Sequence, residues 1–374
     1  LAGIYLHIPF CKQSCHYCDF HFSTTFAGYR NRLINALCKE IELQKNFLEE
    51  EIETIYFGGG TPSLLTKSEL EQIMNSLATC FALSAVKEIT LEANPDDLTA
   101  EYLHDLVAVG INRLSIGIQS FKEDDLRYMN RAHNAEQAIN CVQFAQEAGI
   151  KNISIDLIYG FPQLSDDKWK SNLEIAVELG VQHVSSYSMT IENGTALSAF
   201  ISKGKSPAVS NEQSATQFLE LQNTLINNGF EHYEISNFCL PGYESKHNSS
   251  YWLQKKYLGI GPAAHTFNGN QRFWNISNNM KYILSLEQNK LAQEREDIDE
   301  IKAYNEYVLT RLRTKWGIEE NHILDFSKKI QEVFYANIKS HLSKKLVQLN
   351  NGIYTLTAEG KLLADGIASD LFVV

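Results

Sequence analysis

Short β-branched runs alternate with longer stretches of helical periodicity through the first 190 residues, and this limits the fold more than any other feature of the chain. Strands are expected at residues 4–7, 54–57, 88–91, 113–118, 152–157 and 183–188. Helices are expected between them, at 29–48, 68–81, 100–109, 135–148 and 167–179. Thr66 and Thr99 stand where helix N-caps belong, and Gly110, Gly149 and Gly180 where left-handed C-caps belong. Strand–helix alternation about thirty residues apart means parallel βαβ units. Six such units predict an α/β fold built on a partial (β/α)6 TIM-like barrel. An open doubly wound sheet is the alternative, since both architectures place their sites beyond the C-terminal ends of strands.

Beyond residue 210 one more helix is expected to about 228, then a strand at 233–238 and an irregular, aromatic-rich stretch at 241–275. From 301 the character changes to helices at 301–313 and 327–345. A hairpin at 346–356 follows, with Asn350-Asn351-Gly352 as its turn signal. Two helices and a hairpin predict a small winged-helix-like α+β module. The expected divisions are 1–230, 231–300 and 301–374.

With 33 Lys+Arg against 45 Asp+Glu the net charge is −12, which argues against nucleic acid as the main partner. No run of 18 apolar residues occurs, so no membrane-spanning segment is expected. The first residues carry neither the basic nor the apolar region of a secretion signal, and a cytoplasmic location is expected. Of seven cysteines, Cys11, Cys15 and Cys18 lie close together while the other four are scattered. In a reducing compartment such a cluster holds metal rather than disulfides.

Thiolates select zinc, copper(I) or iron–sulfur clusters. A structural zinc wants four ligands; no second CxxC pair exists, although His16 or His21 is available to complete a zinc site. Three cysteines without a fourth suit a 4Fe–4S cluster with one iron left open. Further motifs follow successive strands. Gly58-Gly59-Gly60-Thr61-Pro62 lets a ligand approach backbone closely. Glu92 ends the third strand and suits an ammonium. Gln119 ends the fourth, with Arg131, suited to a carboxylate, 12 residues on, and Asp156 near the end of the fifth suits ribose hydroxyls.

A CxxxCxxC loop at the end of the first strand of an incomplete barrel resembles the radical S-adenosylmethionine superfamily. There the open iron chelates the amino and carboxylate groups of S-adenosylmethionine. The ordered motifs, from residue 4 to about 275, resemble the oxygen-independent coproporphyrinogen III oxidase family and its paralogues, the HemW-type heme chaperones. The resemblance implies Cys11, Cys15 and Cys18 as cluster ligands, and Tyr5, Gly59 and Glu92 around the cluster-bound S-adenosylmethionine. It also implies contacts from Tyr17, Gly60, Thr61, Gln119, Arg131 and Asp156, to that molecule or to a second one.

Three departures favour the chaperone branch. Phe20 stands where the oxidases have a fourth cysteine. The cluster motif starts at residue 11, where the oxidases carry an N-terminal extension. His247-Asn248-Ser249-Ser250-Tyr251-Trp252 matches the HNxxYW signature of the chaperones, which implies His247 as a heme ligand. The expectation is a chaperone that binds a 4Fe–4S cluster, S-adenosylmethionine and heme. It would deliver heme to acceptor hemoproteins such as respiratory enzymes, with an electron donor serving the cluster. The alternatives are coproporphyrinogen III decarboxylation, or another radical reaction such as methyl transfer or heme ring opening. His265 receives no role.

Overall fold

Ile4, Leu6 and Ile8 alternate with Gly3, Tyr5 and His7, and a two-residue period of this kind makes a strand with two unlike faces. The computed structural model describes residues 1–374. Its first six strands are β1 (Ala2–Ile8), β2 (Ile52–Gly59), β3 (Glu88–Ala93), β4 (Arg113–Gln119), β5 (Asn152–Tyr159) and β6 (His183–Ser188). They lie side by side in sequence order and run parallel. An unreversed order puts every crossover on one face, whereas a doubly wound sheet reverses at a switch point. The partial barrel is therefore the architecture, and the doubly wound alternative falls.

Beyond these strands the sheet extends both ways without closing. On the β6 side come β7 (Glu231–Glu234) and β8 (Asn237–Cys239), with β8 antiparallel to β6. On the β1 side come β9 (Tyr257–Ile260), parallel to β1, then antiparallel β10 (His265–Phe267), β11 (Gln271–Asn275) and β12 (Gln293–Asp297). Two expectations are corrected here. The single strand at 233–238 is a hairpin, because Ser236 N–H bonds back to the Glu234 carboxylate and turns the chain. The stretch at 241–275 is not irregular: it holds helix Lys246–Trp252 and β9 to β11.

The crossover helices Arg30–Leu43, Lys67–Cys80, Ala100–Val109, Ala135–Glu147 and Asp166–Glu178 cover the apolar face. Thr66 and Glu69 form a reciprocal capping box, Thr99 caps the third helix, and Gly110 closes it in the left-handed region at φ 102°. One apolar layer runs from Ala2 to Leu286 between sheet and helices. Burying that layer is the main driving force for this half of the molecule. Glu40, buried in the first helix, accepts hydrogen bonds from Gly261 N–H, Asn275 Nδ2 and Tyr282 O–H, tying the β9–β11 extension to the barrel.

A second apolar cluster joins Tyr304 to Val373. It covers a three-stranded sheet of β13 (Ile318–Glu319), β14 (Val347–Asn350) and β15 (Ile353–Leu356), packed with helices Glu300–Leu312, Lys328–Ser343 and Ala364–Leu371. Asn351 and Gly352 both take positive φ in the β14–β15 turn, the geometry their sequence signals. Ile235 N–H to Arg313 O and Lys315 N–H to Tyr233 O splice this part onto the barrel lip.

Candidate functional site

The face of the barrel turned away from the helices is polar. Across β1 to β6 it presents Gly3, Tyr5 and His7; Thr54, Tyr56 and Gly58; Glu88, Thr90 and Glu92; Arg113, Ser115 and Gly117; Ser154, Asp156 and Ile158; and His183, Ser185 and Tyr187. A barrel interior of this kind is polar, where a purely packing interior would be apolar. It opens at the C-terminal strand ends into a cavity of about 640 Å³.

The cysteine loop leaves β1 directly and is clamped on both sides. Cys11 N–H donates to Ser23 O and Ser23 N–H to Pro9 O, closing the loop at its base. Across from it, Asn130 Nδ2 donates to Ser14 O, Gln13 Nε2 to Asn130 O, and His16 N–H to Met129 O. Asn130 sits in the left-handed region at φ 55°, tolerated by Asn. Cys11, Cys15 and Cys18 all line the cavity. Burial raises the thiol pKa of Cys11, and that of Cys18 to about 11. His16 and His21 are engaged elsewhere, at Tyr128 O and Asn279 Oδ1. No group of three His, Cys, Asp or Glu side chains gathers around a single ion-sized point.

A hydrogen-bonded chain connects two of the sulfurs. Thr61 Oγ1 donates to Cys11 Sγ (3.4 Å) and accepts from Asn94 Nδ2; Asn94 Oδ1 accepts from Arg131 Nη2 (2.6 Å); Arg131 Nη1 donates to Cys15 Sγ (3.2 Å) and Tyr17 Oη. Arg131 Nη2 also reaches Gly117 O, while its buried Nε has no partner. Donors aimed at sulfur stabilise metal-bound thiolates. Gly59 holds φ 108°, and a Cβ on Gly60 would lie 2.7 Å from Phe10 O, so backbone and loop meet here at glycine-only distance. Three soft donors, hydrogen bonds to their sulfurs and a glycine cradle fit a 4Fe–4S cluster with a small polar ligand beside it.

Glu92 accepts from Tyr56 O–H (2.8 Å) and Gly59 N–H (3.1 Å); burial raises its pKa to about 7. Burial likewise raises Asp156 to about 6, although Ser115 O–H donates to it. A bulge between Ile116 and Gln119 and the positive φ of Gln119 (69°) end the regular β4 ladder. Tyr17, Gly59, Gly60, Thr61, Glu92, Gln119, Arg131 and Asp156 thus share one cavity with the cysteines.

Two expected residues lie outside that lining. Tyr5 sits one layer lower, ring to ring with Tyr56 (6.0 Å), and its O–H reaches His7 Nδ1. The second is His247, the expected heme ligand. It is 1% exposed, with Nδ1 bonded to Thr54 Oγ1 (2.8 Å) and Nε2 to Tyr251 Oη (2.7 Å), so both ring nitrogens are engaged within the protein. Its ring stacks on Tyr56 at 4.9 Å, and burial lowers its pKa to about 3. Trp252 of the same motif lies beneath the Arg313 guanidinium. In this structure the motif braces the barrel interior and the C-terminal splice. His265 is exposed beside Trp274, away from the cavity.

Sequence reasoning assigned no role to Asn94, Tyr187, Met189, Ile235, Arg313 or Asp365, all of which line the cavity. Asn94 stood two residues after Glu92, the same strand-end signal as its neighbours. Tyr187 and Met189 carry the same signal at the end of the sixth strand, whereas Ile235, Arg313 and Asp365 come in only through tertiary folding. Arg313 pairs with Glu234 and Asp365 at the mouth, and Phe20 is 69% exposed there.

The pattern of the radical SAM superfamily matches residues 5–176. In three dimensions the chain is similar to coproporphyrinogen III oxidase (HemN) from Escherichia coli, a radical SAM enzyme. The TM-score is 0.86 at 22% identity, over 100% of this chain and 90% of that one, a likeness of fold. Fold and cysteine loop therefore define a radical SAM protein. Along its length the chain is also similar to heme chaperone HemW from Lactococcus lactis, 32% identical over 97% of this chain and 95% of that protein. A second relative is heme chaperone HemW from Bacillus subtilis, 32% identical over 98% of both. The chain belongs to the HemW family. No helix is long and apolar enough to cross a membrane.

Proposed function

We propose that this protein is a cytoplasmic heme chaperone that carries a 4Fe–4S cluster and S-adenosylmethionine, binds heme, and passes it to acceptor hemoproteins, with an electron donor serving the cluster. The observation that carries this reading is the end-to-end likeness to proteins named as heme chaperones. The fold alone suits the oxidase equally, and Phe20 in the place of a fourth cysteine supports the chaperone branch.

Cys11, Cys15 and Cys18 would hold the cluster, which supplies an open iron and an electron. Glu92, presented between Tyr56 and Gly59, would take the S-adenosylmethionine ammonium, and Arg131 its carboxylate. Asp156 would take the ribose hydroxyls. Gly60, Thr61, Gln119 and Tyr17 complete the walls, and Tyr5 supports them from beneath. The apolar faces of Phe20, Phe22, Met189 and Ile235 at the same mouth suit a flat ring.

Transfer is the test. Protein reconstituted anaerobically and loaded with one equivalent of heme is mixed with an apo-hemoprotein acceptor. Appearance of the acceptor's holo spectrum faster than with free heme is expected. Heme that stays bound, or transfer no faster than from free heme, overturns the reading.

A further inference from the structure

Arg113 stands at the first position of β4 on the polar face, one layer below Ser115 and Glu92, and is 1% exposed. Its guanidinium makes no hydrogen bond, its buried Nε and Nη1 lack any protein partner, and no carboxylate lies within salt-bridge reach. Its neighbour across the strand pair, Thr90, also has an unpartnered buried hydroxyl. Arginine stays protonated in proteins, so this is a permanent charge inside the barrel that no ion pair consumes. A buried charge held without a direct partner is costly and is compensated by charges further off.

The groups around it identify that compensation. His183 on β6 and His247 on helix Lys246–Trp252 face it, and both are kept neutral, chiefly by burial. Tyr56 on β2 and Tyr233 on β7 are phenols. Glu88 on β3 accepts from the backbone N–H groups of Lys246 and His247 and makes no ion pair with Arg113. On the cavity side the Arg113 charge acts on Glu92 and Asp156, the two carboxyls at the cavity floor. Tyr5, Tyr187 and Tyr251 also surround Glu92 without contributing positive charge, and Arg131 acts on Asp156 from the cavity side.

We infer that Arg113 is a positioning residue: its unpaired buried charge opposes the burial that favours neutral Glu92 and Asp156, and so helps them receive the ammonium and hydroxyls of S-adenosylmethionine as carboxylates. An ammonium gains little from a protonated carboxyl, so the site needs a cation beneath its floor as well as acceptors on it. This inference rests on the reading that S-adenosylmethionine occupies the cavity.

The test measures S-adenosylmethionine affinity of the reconstituted protein by calorimetry from pH 6 to 9 for the wild type, R113M, R113K and E92Q. In R113M the affinity at pH 7 is expected to fall about tenfold and the pH midpoint of binding to rise by about one unit. R113K is expected to restore the wild-type midpoint, and E92Q to bind weakly without that pH dependence. An unchanged midpoint in R113M, or a uniform loss that R113K does not rescue, overturns the inference. Should R113M not fold, infrared difference spectra of the wild type and E92Q decide: Glu92 is expected to be ionised at pH 8, and a protonated Glu92 there overturns it. A wild type that does not bind S-adenosylmethionine refutes the reading of the cavity instead.

Discussion

His247 Nδ1 lies 2.8 Å from Thr54 Oγ1, joining helix Lys246–Trp252 to the second strand inside the barrel. The second ring nitrogen is taken by Tyr251, four residues on. His247→Ala would leave buried polar partners and a cavity, so a loss of roughly 2–4 kcal/mol of stability is expected. Urea denaturation checks this. In the fraction that folds, heme affinity is expected to stay within twofold of wild type; loss of the heme spectrum at unchanged stability would return His247 to the role of ligand.

Replacing Cys11, Cys15 or Cys18 by Ser is expected to abolish the iron–sulfur absorption after anaerobic reconstitution. Cys38→Ser and Cys80→Ser, outside the cavity, are expected to leave it intact. Iron content read beside the spectrum separates loss of cluster from loss of protein. Full iron content in a Cys15→Ser protein would contradict the assignment.

Arg131 joins the Cys15 sulfur to Asn94, Tyr17 and the Gly117 carbonyl. A lysine cannot reproduce that fork. Arg131→Lys is expected to weaken S-adenosylmethionine binding by at least about tenfold, a loss of roughly 1.4 kcal/mol, and to make the cluster more labile to oxygen. Calorimetry and the bleaching rate of the cluster measure the two effects.

Glu40 gives the fold a pH signature. Burial raises its pKa from 4.5 to about 7. The folded state therefore holds this proton more tightly than the unfolded chain. Its contribution is full below about pH 4.5 and is lost as pH rises towards 7, by about 3 kcal/mol. Urea unfolding at pH 5 and pH 7.5 should show Glu40→Gln losing less stability over that interval than the wild type. Equal losses would mean that Glu40 does not titrate there.

The six parallel strands were legible because Ile and Leu alternate with polar residues, and their helices because Thr66, Thr99 and Gly110 mark ends by local chemistry. Most of the expected cavity residues were legible because they stand at strand ends or in the loops that follow them, and a parallel barrel gathers strand ends at one mouth. Strands β10 to β12 are short and lie towards one edge of the sheet, with too few residues for a period to register. The turn at Ile235-Ser236 has no Gly or Pro to announce it. A histidine among aromatics reads alike whether it faces a ligand or, like His247, is buried with both nitrogens bonded. Arg113 begins an expected strand, and only the strand register shows that it turns inward.

The most direct test of the central claim is a heme titration run beside a coproporphyrinogen III conversion assay on one anaerobically reconstituted preparation containing S-adenosylmethionine and a reductant. Saturable heme binding with no protoporphyrinogen formed is the expected result. Robust conversion of coproporphyrinogen without heme affinity would contradict the chaperone reading and make this protein an oxidase.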